Sequence, residues 1–76
     1  MNEHILIEFK KVLKAGRLKA GYNYKELSKL SGISDKNLSK YENDMEADIP
    51  VQKLFHLYNL LQVPKSTITQ LINISY

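Results

Sequence analysis

Apolar residues recur along this chain at three- and four-residue intervals, and no stretch alternates residue by residue, so each patterned segment predicts a helix. The first helix is expected over residues 3–20, with a stripe of Leu6, Phe9, Leu13 and Ala20 flanked by Ile5 and Val12. Lys10, Lys11, Lys14 and Lys19 fall mostly off that stripe, and Gly21 supplies the stop. A second helix is expected over residues 24–31. Asn23 is a good N-cap, and Glu26 three positions on can reach back to complete a capping box. Leu27 and Leu30 form its buried side, and Gly32 ends it.

Ser34 caps a third helix over residues 35–42, with Asp35 in the first turn, where the helix dipole favours an anion. Leu38 and Tyr41 face inward, while Lys36, Asn37, Ser39 and Lys40 face out. Only Gly32, Ile33 and Ser34 separate the second helix from the third, which makes the pair a tight helix-turn-helix. The polar run from Glu42 to Asp48 reads as a loop. Asp48 is expected to cap a fourth helix over residues 50–61, with Pro50 in its first turn and Leu54, Leu57, Tyr58 and Leu61 as its stripe. Val63-Pro64 breaks the chain before a fifth helix over residues 65–73, which carries Ile68, Leu71 and Ile72.

A chain of 76 residues holds one core, so residues 1–76 are expected to form a single all-α domain. Such a core is marginal alone, and no cysteine is present to staple it, which favours coupling to a dimer or a partner. No apolar run approaches the roughly 20 residues needed to span a bilayer, and no basic-then-apolar leader opens the chain. A cytoplasmic protein without a membrane role is expected.

The net charge of +3 is unevenly spread. Residues 1–41 carry nine Lys or Arg against four acids, whereas residues 42–76 carry Lys53 and Lys65 against Glu42, Asp44, Glu46 and Asp48. A basic first half suits a polyanion and an acidic second half suits something else; a solvated surface with chance asymmetry accounts equally for the numbers. Enzyme chemistry is not expected. A nucleophilic site needs a base beside its nucleophile, and His4 and His56 sit in no such context. A calcium loop starting at Glu42 would need glycine sixth and glutamate twelfth, where the chain has Ala47 and Lys53. No phosphate-cradling glycine loop and no metal-ligand spacing occurs, so neither cofactor nor metal is expected.

Arg17, the run Asn23-Tyr24-Lys25-Glu26-Leu27-Ser28, Gly32-Ile33-Ser34, the run Leu38-Ser39-Lys40-Tyr41-Glu42-Asn43, and the later Leu54 and Leu60 together resemble the phage repressor and Cro helix-turn-helix family, often called the XRE family. The resemblance covers residues 9–63, and its specific part runs from Arg17 to Asn43. It implies a compact lambda-repressor-like fold of five helices that places the third helix in the major groove.

By that resemblance Arg17, the only arginine, pairs with Glu42, which closes the recognition helix. Asn23 and Tyr24 open the second helix at an end that touches DNA backbone; the Tyr24 hydroxyl donates to a phosphate, or its ring packs instead. Lys36 and Lys40 match base-reading positions, with Asn37 and Ser39 beside them, and their four-residue spacing puts both lysines on one face. Ser34 caps the helix and touches a phosphate, and Asn43 matches a backbone-contacting position. Two features depart from the family pattern. Asp35 stands where a neutral or basic base-reader is usual, and Asp44, Glu46 and Asp48 occupy a loop that usually carries glycine and a basic residue.

The implied function is a small sequence-specific DNA-binding repressor, acting as a homodimer on a palindromic double-stranded operator. Ile68, Leu71 and Ile72, with Ile74 and Tyr76, are the expected dimer face. The alternative is a modulator of the same fold that docks on a partner repressor protein through Asp35 and the acidic loop.

Overall fold

The computed structural model describes residues 3–44 and 46–74, with side chains described from residue 7 to residue 73. His4, the expected core side chains Ile5 and Leu6, and the tail side chains Ile74 and Tyr76 lie outside that range. Five helices follow one another: α1 (Glu3–Ala20), α2 (Tyr24–Ser31), α3 (Asp35–Asn43), α4 (Val51–Leu60) and α5 (Lys65–Ile74). Among the described residues there is no strand, so the all-α reading holds.

Local chemistry sets most of the boundaries. Asn23 Oδ1 accepts from the Glu26 amide at 2.8 Å, while Glu26 Oε1 accepts from the Asn23 amide at 3.1 Å, completing the capping box of α2. Gly32 closes α2 at φ 76°, its amide donating to Ser28 O at 2.9 Å in a conformation that costs other residues a Cβ clash. Ser34 Oγ accepts from the Asn37 amide at 3.2 Å and starts α3. The fourth helix departs from expectation. Pro50 itself stands at the N-cap of α4 with an extended ψ of 133°, and no side chain caps the helix. Asp48 lies upstream of that boundary, exposed, and does not cap.

The core draws on every helix. Phe9 and Leu13 of α1 meet Leu27, Leu38 and Tyr41 from the helix-turn-helix, and Leu54, Leu57 and Tyr58 from α4. The Phe9 and Tyr58 rings stack with centroids 6.2 Å apart. The buried Tyr58 hydroxyl donates to Phe9 O at 2.7 Å, and burial pushes its pKa well above the ordinary value. Leu71 of α5 closes the core against α1.

Two apolar expectations fail for geometric reasons. Leu30 is 52% exposed, because the inward face of α2 is Tyr24, Leu27, Ser28 and Ser31 at helical spacing, and Leu30 falls beside it. Ala20 is also exposed, at the last residue of α1. Conversely, the segment after α3 is not uniformly polar: Ala47 and Ile49 are buried while Glu46 and Asp48 are exposed. Neither α2 nor α3 is long enough to persist alone, so this shared core supports the helix-turn-helix.

Candidate nucleic-acid interface

The third helix, α3, is fixed to α1 by a buried ion pair. Arg17 Nε donates to Glu42 Oε2 at 2.7 Å and Arg17 Nη2 to Glu42 Oε1 at 3.1 Å, a two-pronged contact that lysine cannot make. Arg17 Nη1 also donates to Tyr22 O at 2.9 Å, so the same guanidinium braces the turn after α1. The hydrogen bond to Glu42, partly opposed by desolvation, raises the Arg17 pKa further above its already high value.

Tyr24 belongs to this pair. Its ring lies under the guanidinium, 4.3 Å from Arg17 Cζ to the ring centroid, and its hydroxyl donates to Glu42 Oε1 at 3.1 Å. Of the two roles open to Tyr24 from sequence, the structure displays packing: the side chain is half-buried and its proton is already committed. The Tyr24 oxygen in turn accepts from Asn43 Nδ2 at 3.1 Å. That nitrogen also donates to Ser39, at 3.0 Å to the carbonyl oxygen and at 3.4 Å to Oγ, and the carbonyl fixes which end of the amide is nitrogen. With both N–H groups used internally, Asn43 presents only its carbonyl oxygen to a ligand. It has no donor for a phosphate unless the Tyr24 or Ser39 contact opens.

The outward side of α3 carries the remaining candidates. Lys36 and Lys40 are exposed, Asn37 and Ser39 are half-buried, and Ser34 and Asp35 are exposed at the N-terminal end. Asn23, at the start of α2, is exposed, and its oxygen is engaged in the cap. Asp44 ends α3, its amide donating to Lys40 O at 2.9 Å and its Oδ1 accepting from the Glu46 amide at 3.0 Å. Glu46 and Asp48 follow, both exposed.

Lys10 escaped the sequence reading. It is 2% exposed, and its Nζ donates to Asp44 O and to Ala47 O, the latter at 2.6 Å. The available signal was its place, one residue after Phe9 and three before Leu13, at the margin of the α1 stripe.

The expected dimer face is partly spent inside the chain. Leu71 is 6% exposed in the core and Ile68 packs against that core, because α5 folds back on α1. Of the three residues only Ile72 is exposed, at 39%. Phe55 of α4 is 42% exposed and shares a shallow cleft with Ile68. A separate cavity of about 570 Å3 opens between the C-terminal half of α1 and the α4–α5 turn, lined by Gly16, Lys19 and Val63 among others, away from α3.

Compared with known proteins, residues 13–68 match a family model described as helix-turn-helix. That span contains α2, α3 and α4 entire, and it begins beyond Lys10. Comparison with curated proteins and with solved structures gives no match.

Proposed function

The chain belongs to the XRE-type helix-turn-helix family of DNA-binding regulators, and from that premise we propose that it is a sequence-specific repressor that lays α3 in the major groove of a palindromic operator. The observation that carries this reading is the exposed Lys36 and Lys40 on a helix clamped by the Arg17–Glu42 pair. Rigid support matters because base readout depends on side chains arriving in register with the base edges. Lys36 and Lys40 read acceptors on guanine, Asn37 and Ser39 lie beside them, and Ser34 meets a phosphate at the helix N-terminus. Asp35 suits a cytosine amino group. A homodimer, meeting through the exposed Ile72 of α5 and Phe55 of α4, sets two α3 helices about one DNA turn apart. The protein acts where the DNA is, in the cytoplasm, by occluding a promoter.

Anisotropy titration against a randomised duplex pool and a scrambled control, at about 50 and 200 mM salt, tests the reading. Salt-sensitive binding that enriches a two-fold-symmetric site supports it; feeble, sequence-blind binding at both salts overturns it. A second reading draws on the exposed carboxylates of Asp35, Asp44, Glu46 and Asp48. It makes the protein a modulator that docks these acids on the basic face of a partner repressor. Absence of DNA binding together with one-to-one association with a basic helix-turn-helix domain would favour it.

A further inference from the structure

We propose that Lys10 is a positioning residue for DNA recognition: by holding the carbonyls of Asp44 and Ala47 it keeps the carboxylates of Glu46 and Asp48 turned outward beside the C-terminal end of α3. There they lower the attraction of the domain for phosphates. This rests on the DNA-binding reading above.

The geometry has three parts. Lys10 is a buried cation whose Nζ meets two backbone carbonyls and, among the described residues, no carboxylate. An ammonium in that position is costly to desolvate, and the two carbonyls it holds offset that cost, since an apolar side chain would leave the Ala47 carbonyl without this donor. Next, the two carbonyls belong to the segment that leaves α3, and Asp44 is the residue that ends the helix. Turning them toward α1 sets the alternation in which Ala47 and Ile49 are buried and Glu46 and Asp48 are exposed. Finally, the Asp44 amide is bonded to Lys40 O, so the backbone that carries the acids is tied to the end of α3 as well as to Lys10. Exposed charges act on one another over a Debye length of about 8 Å at physiological salt, and Glu46 and Asp48 stand two and four residues beyond Asp44, the residue that ends α3.

The consequence is a regulator whose non-specific grip is held down by design of the loop, leaving base contacts from α3 to supply more of the affinity. A thermodynamic cycle tests it, with the wild type, E46Q/D48N, K10M and the triple variant titrated on the selected duplex and on a scrambled one. In the wild type, E46Q/D48N is expected to raise affinity about fivefold at low salt on both duplexes. With K10M present the same pair of changes is expected to gain less than about twofold, because the loop is no longer held. Equal gains in both backgrounds, or no gain in the wild type, overturn the proposal while leaving DNA binding intact. A purely structural Lys10 would lower the melting temperature and leave the two gains equal. Should K10M fail to fold, K10Q, which keeps N–H donors without the charge, takes its place in the cycle. Binding by none of the four proteins overturns the DNA-binding reading itself.

Discussion

Arg17 and Glu42 meet through two parallel hydrogen bonds across a sequence separation of 25, and Tyr24 closes over them from the start of α2. Three helices thus share one buried charge pair. Removing one partner strands the other, so Glu42→Ala is expected to cost about 3–5 kcal/mol in urea unfolding. Arg17→Lys, which keeps the charge and loses the fork, is expected to cost less than Glu42→Ala. Equal loss from both changes would show that the two-pronged geometry holds α3 and that a retained charge alone contributes nothing, whereas a negligible loss from Arg17→Lys would show that charge alone suffices.

Tyr24→Phe separates packing from hydrogen bonding. The ring stays beneath Arg17, but Glu42 loses a donor and Asn43 loses an acceptor. A stability loss of about 1 kcal/mol is expected. DNA affinity is expected to hold or rise, since an Asn43 N–H becomes available to a phosphate. A tenfold fall in affinity at unchanged fold would instead assign the Tyr24 hydroxyl to the DNA backbone.

Lys40→Ala and Lys36→Ala should differ from substitutions that touch phosphates only. Each base-reading lysine is expected to cost about 1–3 kcal/mol on the selected duplex and to relax preference at one base position. A phosphate contact would weaken every sequence alike and lower the salt slope by about 1. Titration of each variant on matched and mismatched duplexes decides between the two.

Alkaline stability follows from Tyr58. Its phenol is held above the ordinary 10.0 by burial, so the unfolded chain gives up this proton first as pH rises. Stability is therefore intact below about pH 10 and declines above it. Tyr58→Phe should flatten that decline while lowering stability near neutrality by about 1 kcal/mol through the lost bond to Phe9 O. Unfolding curves for both proteins between neutral and strongly alkaline pH provide the check.

Gln62 follows α4 with φ 57°, a left-handed conformation that suits glycine, while Val63 N donates back to Tyr58 O at 2.9 Å. Gln62→Gly relieves the Cβ clash and is expected to stabilise the domain by about 0.5–1 kcal/mol, seen as a raised melting temperature. An unchanged or lower melting temperature would mean that the Gln62 side chain contributes contacts that outweigh the relief.

How much of this was legible in the sequence depended on whether the signal was local. Asn23, Glu26, Gly32 and Ser34 act on backbone a few residues away, so their spacing alone set the ends of α2 and the start of α3. The Arg17–Glu42 pair was visible only through resemblance, because nothing in the intervening 24 residues says that α1 and α3 touch. Lys10 was misplaced because lysines at the margin of a stripe usually reach water, and only the path of the segment after α3 gives it acceptors. Leu71 had the right period for an interface, yet periodicity marks a buried side without saying whether it is buried by the same chain or by another. Tyr24 stood open between two roles until the positions of Glu42 and Asn43 were fixed.

The shortness of α2 and α3, eight and nine residues, has a kinetic consequence. Neither helix can persist apart from the core, and α3 is bolted to α1 through Glu42. The amides of Leu38 and Tyr41 should then exchange with solvent only when the whole domain opens. On the proposed reading, α3 with no partly melted state arrives at a duplex already shaped, and association forfeits little conformational entropy in ordering it. The time spent on a wrong site is then set by how quickly mismatched contacts let go, with no slow refolding step in between.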